Sequence, residues 1–364
     1  MKITAPVTID GDFWRGRRVL VTGHTGFKGA WLSLWLQSLG ARVSGISRGV
    51  PTRPSLYELA DVGAHMDELT VDVRDAAAIG DALARCEPEI VLHLAAQPMV
   101  RRSLRDPLLT YEVNVGGTVN LLEAVRRAPH GVRGVVVVTS DKCYENRGGG
   151  LRRFREDDPL GGDDPYSSSK ACAELVTAAY RASFAGAADS PRLATARAGN
   201  VIGGGDWGED RLLADVLRAV ERDEPLRVRN PLAVRPWQHV LSPLGGYLRL
   251  AEELWVAPGA ARAWNFGPRP DDELTVGTIV ERLAGLWDGE LRWQPDDGPN
   301  PPEAAHLALD SAAAEGELGW RPACALDDAL ALVVAWHRAH RRGADMRQVS
   351  LSQIADLAAG RKDE

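Results

Sequence analysis

The chain has 364 residues, 45% of them apolar and 26% charged, with a formal net charge of −7. That composition is ordinary for a folded globular protein, and the length allows two units around a large core. The acidic balance argues against nucleic-acid or anionic-membrane binding, so any anionic ligand must be held by locally concentrated positive charge. The four cysteines, Cys86, Cys143, Cys172 and Cys324, form neither a CxxC pair nor a zinc spacing. The stretch "MKITAPVTIDGDFWRGRR" carries no apolar run of signal or membrane-spanning length. The expectation is a cytoplasmic protein with reduced thiols.

In chain order, "RRVLVTG" reads as a β-rich run ending in glycine, followed by "GAWLSLWLQSLGA", whose apolar residues have helical spacing on a broad face. "RVSGIS", "ELTVDV" and "EIVLHLAA" are the next strands, the last preceded by the amphipathic "AAAIGDALARCEP". "NVGGTVNLLEAVRRA" predicts a helix, "RGVVVVTS" a fifth strand, "YSSSKACAELVTAAYRASF" a long helix and "RLATARAGN" a sixth strand. Continuous apolar strands alternating with helices predict an α/β fold with a doubly wound parallel sheet covered on both faces. After about Asn200 the pattern loosens into a loop, a helix over "RLLADVLRAVERD", short strands at "PLRVRNP" and "AWNFGP", and helices near 276–287 and 326–339. This mixed part reads as a smaller lobe closing over the carboxyl edge of the sheet, where open α/β sheets bind ligands.

The turn "VTGHTGFKG" places Gly23, Gly26 and Gly29 between the first strand and the first helix. Glycines there permit a tight turn and let a pyrophosphate approach the backbone, and the helix N-terminus offers free N–H groups. The turn therefore predicts dinucleotide binding. Lys28 either helps hold phosphate or is solvated. After the second strand the chain reads Ser47 and Arg48 with no acid, which by itself favours NADP over NAD. Asp72 is a candidate to bond the adenine, or a solvated turn residue.

Tyr166 and Lys170 lie four apart on one predicted helix and share a face. A phenol titrates near ~10, and a nearby ammonium would favour its ionised form. It could then take the proton of a sugar hydroxyl, with Ser140 at a strand end fixing that hydroxyl. Asp141 and Lys142 follow Ser140 directly and exceed what oxidation at one carbon needs. The plain alternative for them is a solvated ion pair on a surface turn.

Together, the glycine turn, "HLAAQP", Asn114 in "YEVNVGGT", Ser140, Tyr166 and Lys170 resemble the extended, sugar-nucleotide branch of the short-chain dehydrogenase/reductase superfamily. "TSDKCYENR", "GGDDPYSSSKACAEL", "ARAGNVIGGGDWGEDRL" and "VRPWQHVL" resemble its 4,6-dehydratases, and the CDP-glucose group in particular. The resemblance implies a Rossmann domain and oxidation at C4 of a hexose. Loss of water across C5 and C6 and hydride return to C6 would follow. By the resemblance Asp141 is the acid for the C6 hydroxyl. Lys142 is the C5 base if its pKa falls, with Lys170 able to supply the necessary cation, or else a charged stabiliser of the enolate.

The resemblance further implies NAD, tightly held, bound by Gly23, Thr25, Gly26, Phe27, Lys28, Gly29, Arg48, Asp72, Val73, Leu94, Ala95, Ala96, Asn114, Tyr166 and Lys170, with NADP left open by Arg48. For a CDP-hexose substrate it implies Gln97 near the sugar, Arg235 on the diphosphate, and Asn200, Arg211 and Arg229 as weaker candidates. It also implies a homodimer through the helix bearing Tyr166. His24, His93 and His239 read as structural, and Trp237 as packing for the lobe. The expected division is a Rossmann domain over 14–200 with return elements around 236–268, a nucleotide-sugar lobe from 201–235 and 269–345, and a tail over 346–364. Departures are Arg48, the stretch after "ENR" without tryptophan, and "NPPEAAHLALD", where an "HEA" stretch is expected. Another nucleotide sugar, a 4-epimerase, a reductase or a non-catalytic dinucleotide sensor remain the alternatives.

Overall fold

The computed structural model describes residues 8–129, 131–146, 152–184, 190–287, 291–296, 298 and 306–359. Parts of four stretches singled out above, 1–7, 147–151, 300–305 and 360–364, lie outside the described residues.

Seven strands form the central sheet: β1 (Arg18–Thr22), β2 (Arg42–Ser47), β3 (Asp67–Thr70), β4 (Ile90–His93), β5 (Gly134–Val138), β6 (Arg192–Ala198) and β7 (Ala263–Phe266). Their order is β7-β6-β5-β4-β1-β2-β3, and every adjacent pair is parallel. The alternation of side chains sorts each strand to two cores. Leu20, Val91, Val135 and Val137 pack with α2 (Ala76–Cys86), α3 (Gly117–Arg127) and the inner face of α4 (Pro165–Phe184). Val19, Val21, Leu92, Val136 and Val138 face α1 (Phe27–Ser38) and α6 (Leu241–Val256). Burial on both faces is why these strands read as continuous apolar runs.

The smaller lobe packs α5 (Leu212–Arg222), α7 (Val276–Leu286) and α8 (Leu326–Arg341) around Trp237 and Trp287. Two short strand pairs brace it: Leu226–Val228 with Trp293–Pro295, parallel, and Val234–Pro236 with Glu273–Thr275, antiparallel.

The broad apolar face expected on α1 is instead a helix buried all round, from Gly29 to Leu36. The covering comes from α6 on one side and from α9 (Met346–Ala359) on the other. α9 is held there by Arg347, which donates to Gln37 Oε1 at 2.8 Å, and by Trp336 Nε1, which donates to Ser350 Oγ at 3.0 Å.

Candidate active site

The sheet order reverses direction between β1 and β4, the usual place for a ligand in an open α/β sheet. A cavity of about 640 Å³ opens along this carboxyl edge, within the usual range for a small-ligand site. Its floor is the glycine turn. Gly23 has φ +74°, and a Cβ there would stand 2.9 Å from the Ala95 backbone, so the β1 and β4 loops touch directly. Thr22 locks them together: its hydroxyl accepts from Leu94 N at 3.1 Å and Ala95 N at 3.0 Å. That leaves its proton for His93 Nδ1, 2.7 Å away. Burial pushes His93 down to about 3, so it stays neutral and structural. Gly26 starts α1 with no side-chain cap, so the first N–H groups of the helix remain available to an anion. Thr25 ties the turn to the end of β2 through Ser47 Oγ at 2.6 Å and the Gly49 carbonyl at 2.8 Å. A bare helix N-terminus, glycines with no room for a Cβ and a long groove past Ser47 to Val73 fit a dinucleotide.

At the tip of β5, Ser140 Oγ accepts from Lys142 N at 3.2 Å and donates to Asp141 Oδ1 at 2.9 Å. Asp141 is buried, and its Oδ2 has no hydrogen-bond partner among the described residues. A Cβ on Gly199 would come within 2.9 Å of that oxygen, so the glycine keeps its surroundings clear. Burial raises the Asp141 carboxyl above its usual range, against the pull of Lys142, Ser140, Arg235 and Lys28. Tyr166 and Lys170 from α4 line the same cavity, as their spacing predicts. The expected lowering of the phenol by Lys170 is not seen. Lys170 Nζ donates to the Val138 carbonyl at 3.2 Å, while burial pushes Tyr166 up to about 12, opposed chiefly by Ser140. Desolvation is the largest influence on the phenol. Lys170 itself falls to about 8, by burial, against the pull of Glu174.

Behind this row lies a buried network that sequence reading missed. Glu174, one turn after Lys170, accepts from Arg197 Nη2 at 2.8 Å, from Thr195 Oγ1 at 2.7 Å and from Thr139 Oγ1. Arg197 Nη1 donates to Tyr144 Oη at 2.7 Å, and Tyr144 donates to Asn265 Oδ1 at 2.7 Å. Thr139 and Tyr144 bracket Ser140, Asp141 and Lys142, so the network fixes both ends of that segment. The legible signal was a charged pair, Glu174 and Arg197, inside a helix and a strand that otherwise read as buried.

The remaining predicted residues separate into lining and support. Gly23, Thr25, Gly26, Phe27, Lys28, Gly29, Arg48, Asp72, Val73, Leu94, Ala95, Ala96, Gln97, Asn200, Arg211, Arg229 and Arg235 all line the cavity. Asn114 does not: it accepts from Gln97 N at 2.7 Å and donates to the Gln97 carbonyl at 3.1 Å and Ser169 Oγ at 2.8 Å, stitching the β4 loop to α4. The Gln97 side chain is already occupied by Met99 and Thr110. Asp72 is held by Arg74, which lowers its carboxyl. Arg48 is exposed at the groove's rim. Lys28 is not a solvated lysine: its Nζ reaches 3.5 Å from Tyr247 Oη. Trp237 is buried in the lobe core, and His239, whose ring sits edge-on to Trp31, is pushed down to about 3 by burial.

The acidic protein concentrates positive charge here, ten Lys or Arg against six Asp or Glu along the cavity. Three of the cations, Arg101 and Arg102 in "MVRRS" and Arg227, were not anticipated. Arg101 and Arg229 both reach Asp210, at 3.4 and 3.2 Å, joining the β4 loop to the lobe.

The sequence profile of the NAD dependent epimerase/dehydratase family matches residues 19–255. The CDP-glucose 4,6-dehydratase of Salmonella typhimurium is 47% identical over 353 residues, 96% of this chain and 98% of that protein. The dTDP-glucose 4,6-dehydratase of Mycolicibacterium smegmatis is 30% identical over 89% of this chain and 94% of its own length. Among solved structures, DesIV, a dTDP-glucose 4,6-dehydratase from Streptomyces venezuelae with NAD and TYD bound, superposes with TM-score 0.74 at 26% identity, covering 91% of this chain and 99% of that one. No described helix is long and apolar enough to cross a membrane. The profile spans more than half of the chain and the 47% identical relative nearly all of it; the chain belongs to the NAD dependent epimerase/dehydratase family.

Proposed function

We propose that the chain is a CDP-glucose 4,6-dehydratase that converts CDP-D-glucose to CDP-4-dehydro-6-deoxy-D-glucose and water. The observation that carries this reading is Asp141, a buried carboxyl among the residues lining the cavity, beside Tyr166, with one oxygen that has no hydrogen-bond partner among the described residues. Oxidation at a single carbon has no use for it, whereas water loss requires a proton donor, and burial raises this carboxyl above its usual range. The 47% identical relative supports the same reading.

In this reading the glycine turn and the free N–H groups of α1 hold the diphosphate of tightly bound NAD, with Ala95 and Lys170 toward the nicotinamide end. NAD, when bound, would take the C4 hydrogen as hydride, return it at C6, and bring a positive ring charge near Tyr166. Ser140 and Tyr166 grip the C4 hydroxyl, and Tyr166 takes its proton. The resulting ketone acidifies C5. Asp141 donates its proton to the departing C6 hydroxyl, while an amine of the same site handles the C5 proton. Each such proton transfer contributes typically ~10²–10⁴-fold. Arg235, with Arg211 and Arg229, faces the substrate diphosphate. A homodimer is part of the proposal: Leu104, Leu108, Tyr111 and Leu175 stand exposed on α4 and the short helices beside it.

The test is incubation with CDP-, dTDP-, UDP- and GDP-glucose without added cofactor. A 4-keto-6-deoxy product, detected by its absorbance in alkali, is expected from CDP-glucose. Product with the C6 hydroxyl intact, a requirement for external NADPH, or preference for another nucleotide would each overturn the assignment.

A further inference from the structure

Side chains from both lobes meet on one carboxylate in the cavity wall. Arg101 stands on the short helix Val100–Arg105 after β4, and Arg229 just past the lobe strand Leu226–Val228. Their Nη1 atoms both donate to Asp210 Oδ1, at 3.4 and 3.2 Å. All three residues line the cavity together with Arg211 and Arg235. Two cations thus share one anion, and the group keeps a net positive charge.

Each member is held in place from behind. Ser103 Oγ accepts from Tyr166 N at 3.1 Å and donates to the Val100 carbonyl at 2.7 Å, which ties the helix of Arg101 to the start of α4. Gln97 bonds both the N–H and the carbonyl of Met99, fixing the loop ahead of that helix. Asp210 has φ +58°, a left-handed backbone that is costly for a residue with a Cβ and persists only where its surroundings impose it. Three residues earlier, Trp207 lies edge-on to Trp336, His337 and His340 of α8, with ring centres 5.8, 5.5 and 5.5 Å away. Directly after Asp210, Arg211 leads into α5, and its charge acts on Tyr166.

An ion pair that serves stability looks different in this protein. Arg197 and Glu174 meet at 2.8 Å with both side chains 3% exposed. Arg101 and Asp210 are 37% and 21% exposed, and their contact is long for a charge-assisted hydrogen bond. Such pairs add little to stability. Two guanidinium forks brought side by side do suit a diphosphate, whose oxygens accept paired N–H groups.

We propose that Arg101 binds the substrate diphosphate from the dinucleotide-binding side of the cavity, across from Arg229, and that Asp210 is the positioning residue for both guanidinium groups; this rests on the dehydratase reading above. With the sugar hydroxyl at Tyr166, the bond between Tyr166 and Ser103 sets the spacing from the phenol to this clamp. Without the Asp210 carboxylate the two cations repel each other, and Arg101 leaves the clamp.

The experiment measures CDP and cytidine binding to the full-length protein by titration calorimetry, with cofactor content after purification and with kcat and KM for CDP-glucose. The variants are Arg101→Met, Arg101→Lys, Asp210→Asn and the double Arg101→Met, Asp210→Asn. Arg101→Met should weaken CDP ~10–100-fold, leave cytidine and bound cofactor unchanged, and raise KM far more than it lowers kcat. Arg101→Lys keeps the charge without the fork and should fall between the two, so it decides the matter if the methionine variant misfolds. Asp210→Asn should also weaken CDP, and by a smaller factor when Arg101 is already methionine, because part of its effect runs through that arginine. The proposal fails if Arg101→Met leaves CDP binding unchanged, or weakens cytidine as much as CDP, as a mere link between the lobes would. It fails too if cofactor content falls, which would assign Arg101 to the dinucleotide, or if Asp210→Asn tightens CDP, which would make the carboxylate a competitor. A wild type that prefers UDP, dTDP or GDP would sink the CDP-glucose reading instead, and the same comparison with the preferred diphosphate and its nucleoside would still decide the role of Arg101.

Discussion

Asp141→Asn isolates the acid. The substitution is isosteric, and the side chain is buried with Oδ1 already bonded to the Ser140 hydroxyl at 2.9 Å. Replacing the acid by an amide therefore removes proton donation with little change of shape. Burial raises the wild-type carboxyl, so its protonated form persists to higher pH and is lost as pH rises through the raised value. The variant should lose the alkaline limb that this ionisation imposes on turnover. A positioned general acid is worth ~10²–10⁴-fold, or about 3–5 kcal/mol of barrier at 1.36 kcal/mol per decade. Stability should not suffer. A group whose folded pKa is raised stabilises the fold below its unfolded value and loses that contribution as pH rises through the folded one. Above that window the neutral amide should be at least as stable as the buried carboxylate. The assay is rapid mixing with CDP-glucose, following cofactor reduction at 340 nm alongside alkali-detected product. Cofactor reduction should run at near wild-type rate while product formation falls ~10²–10⁴-fold. Equal slowing of both steps, or an unchanged product rate, would refute Asp141 as the proton donor.

Three further outcomes are expected. Gly29→Ala drives a methyl into the Gly23 carbonyl, which cannot yield because Gly23 is pressed against Ala95; the turn must open, and cofactor measured after denaturing the purified protein should fall sharply at unchanged helix content. Glu174→Ala leaves the Arg197 guanidinium buried without its carboxylate, a loss of about 3–5 kcal/mol that a shift of the urea unfolding midpoint would register. Leu108→Asp with Leu175→Asp charges the exposed face along α4 and should turn a dimer into a monomer by light scattering, whereas an unchanged mass would reject that interface.

Much of this site was visible in the residues. The glycines of "GHTGFKG" announced a tight turn at the sheet's edge because only glycine lets two backbones meet as Gly23 and Ala95 do. Tyr166 and Lys170 declared their shared wall because spacing of four is fixed by the helix itself. The pair Asp141 and Lys142 was conspicuous because charge at the end of four buried valines needs a purpose. Other roles were illegible. Asn114 resembled a cofactor ligand, yet it bonds Gln97 and Ser169, residues far from it in sequence. Asp72 and Arg74 neutralise each other in a way that only their final geometry reveals. The α1 helix looked one-sided because the sequence could not show that α9 would return to cover it.

The amino-acid order by itself determined the sheet's strands, the crossover helices and the row of chemically active side chains, because periodicity and local backbone sterics are short-range. Electrostatics was left to the tertiary structure. Whether Lys28 is solvated or flanked by Arg211 and Lys170, and whether Asp141 is an anion or an acid, depends on how much water the assembled walls exclude, and desolvation is a property of the whole packed cavity.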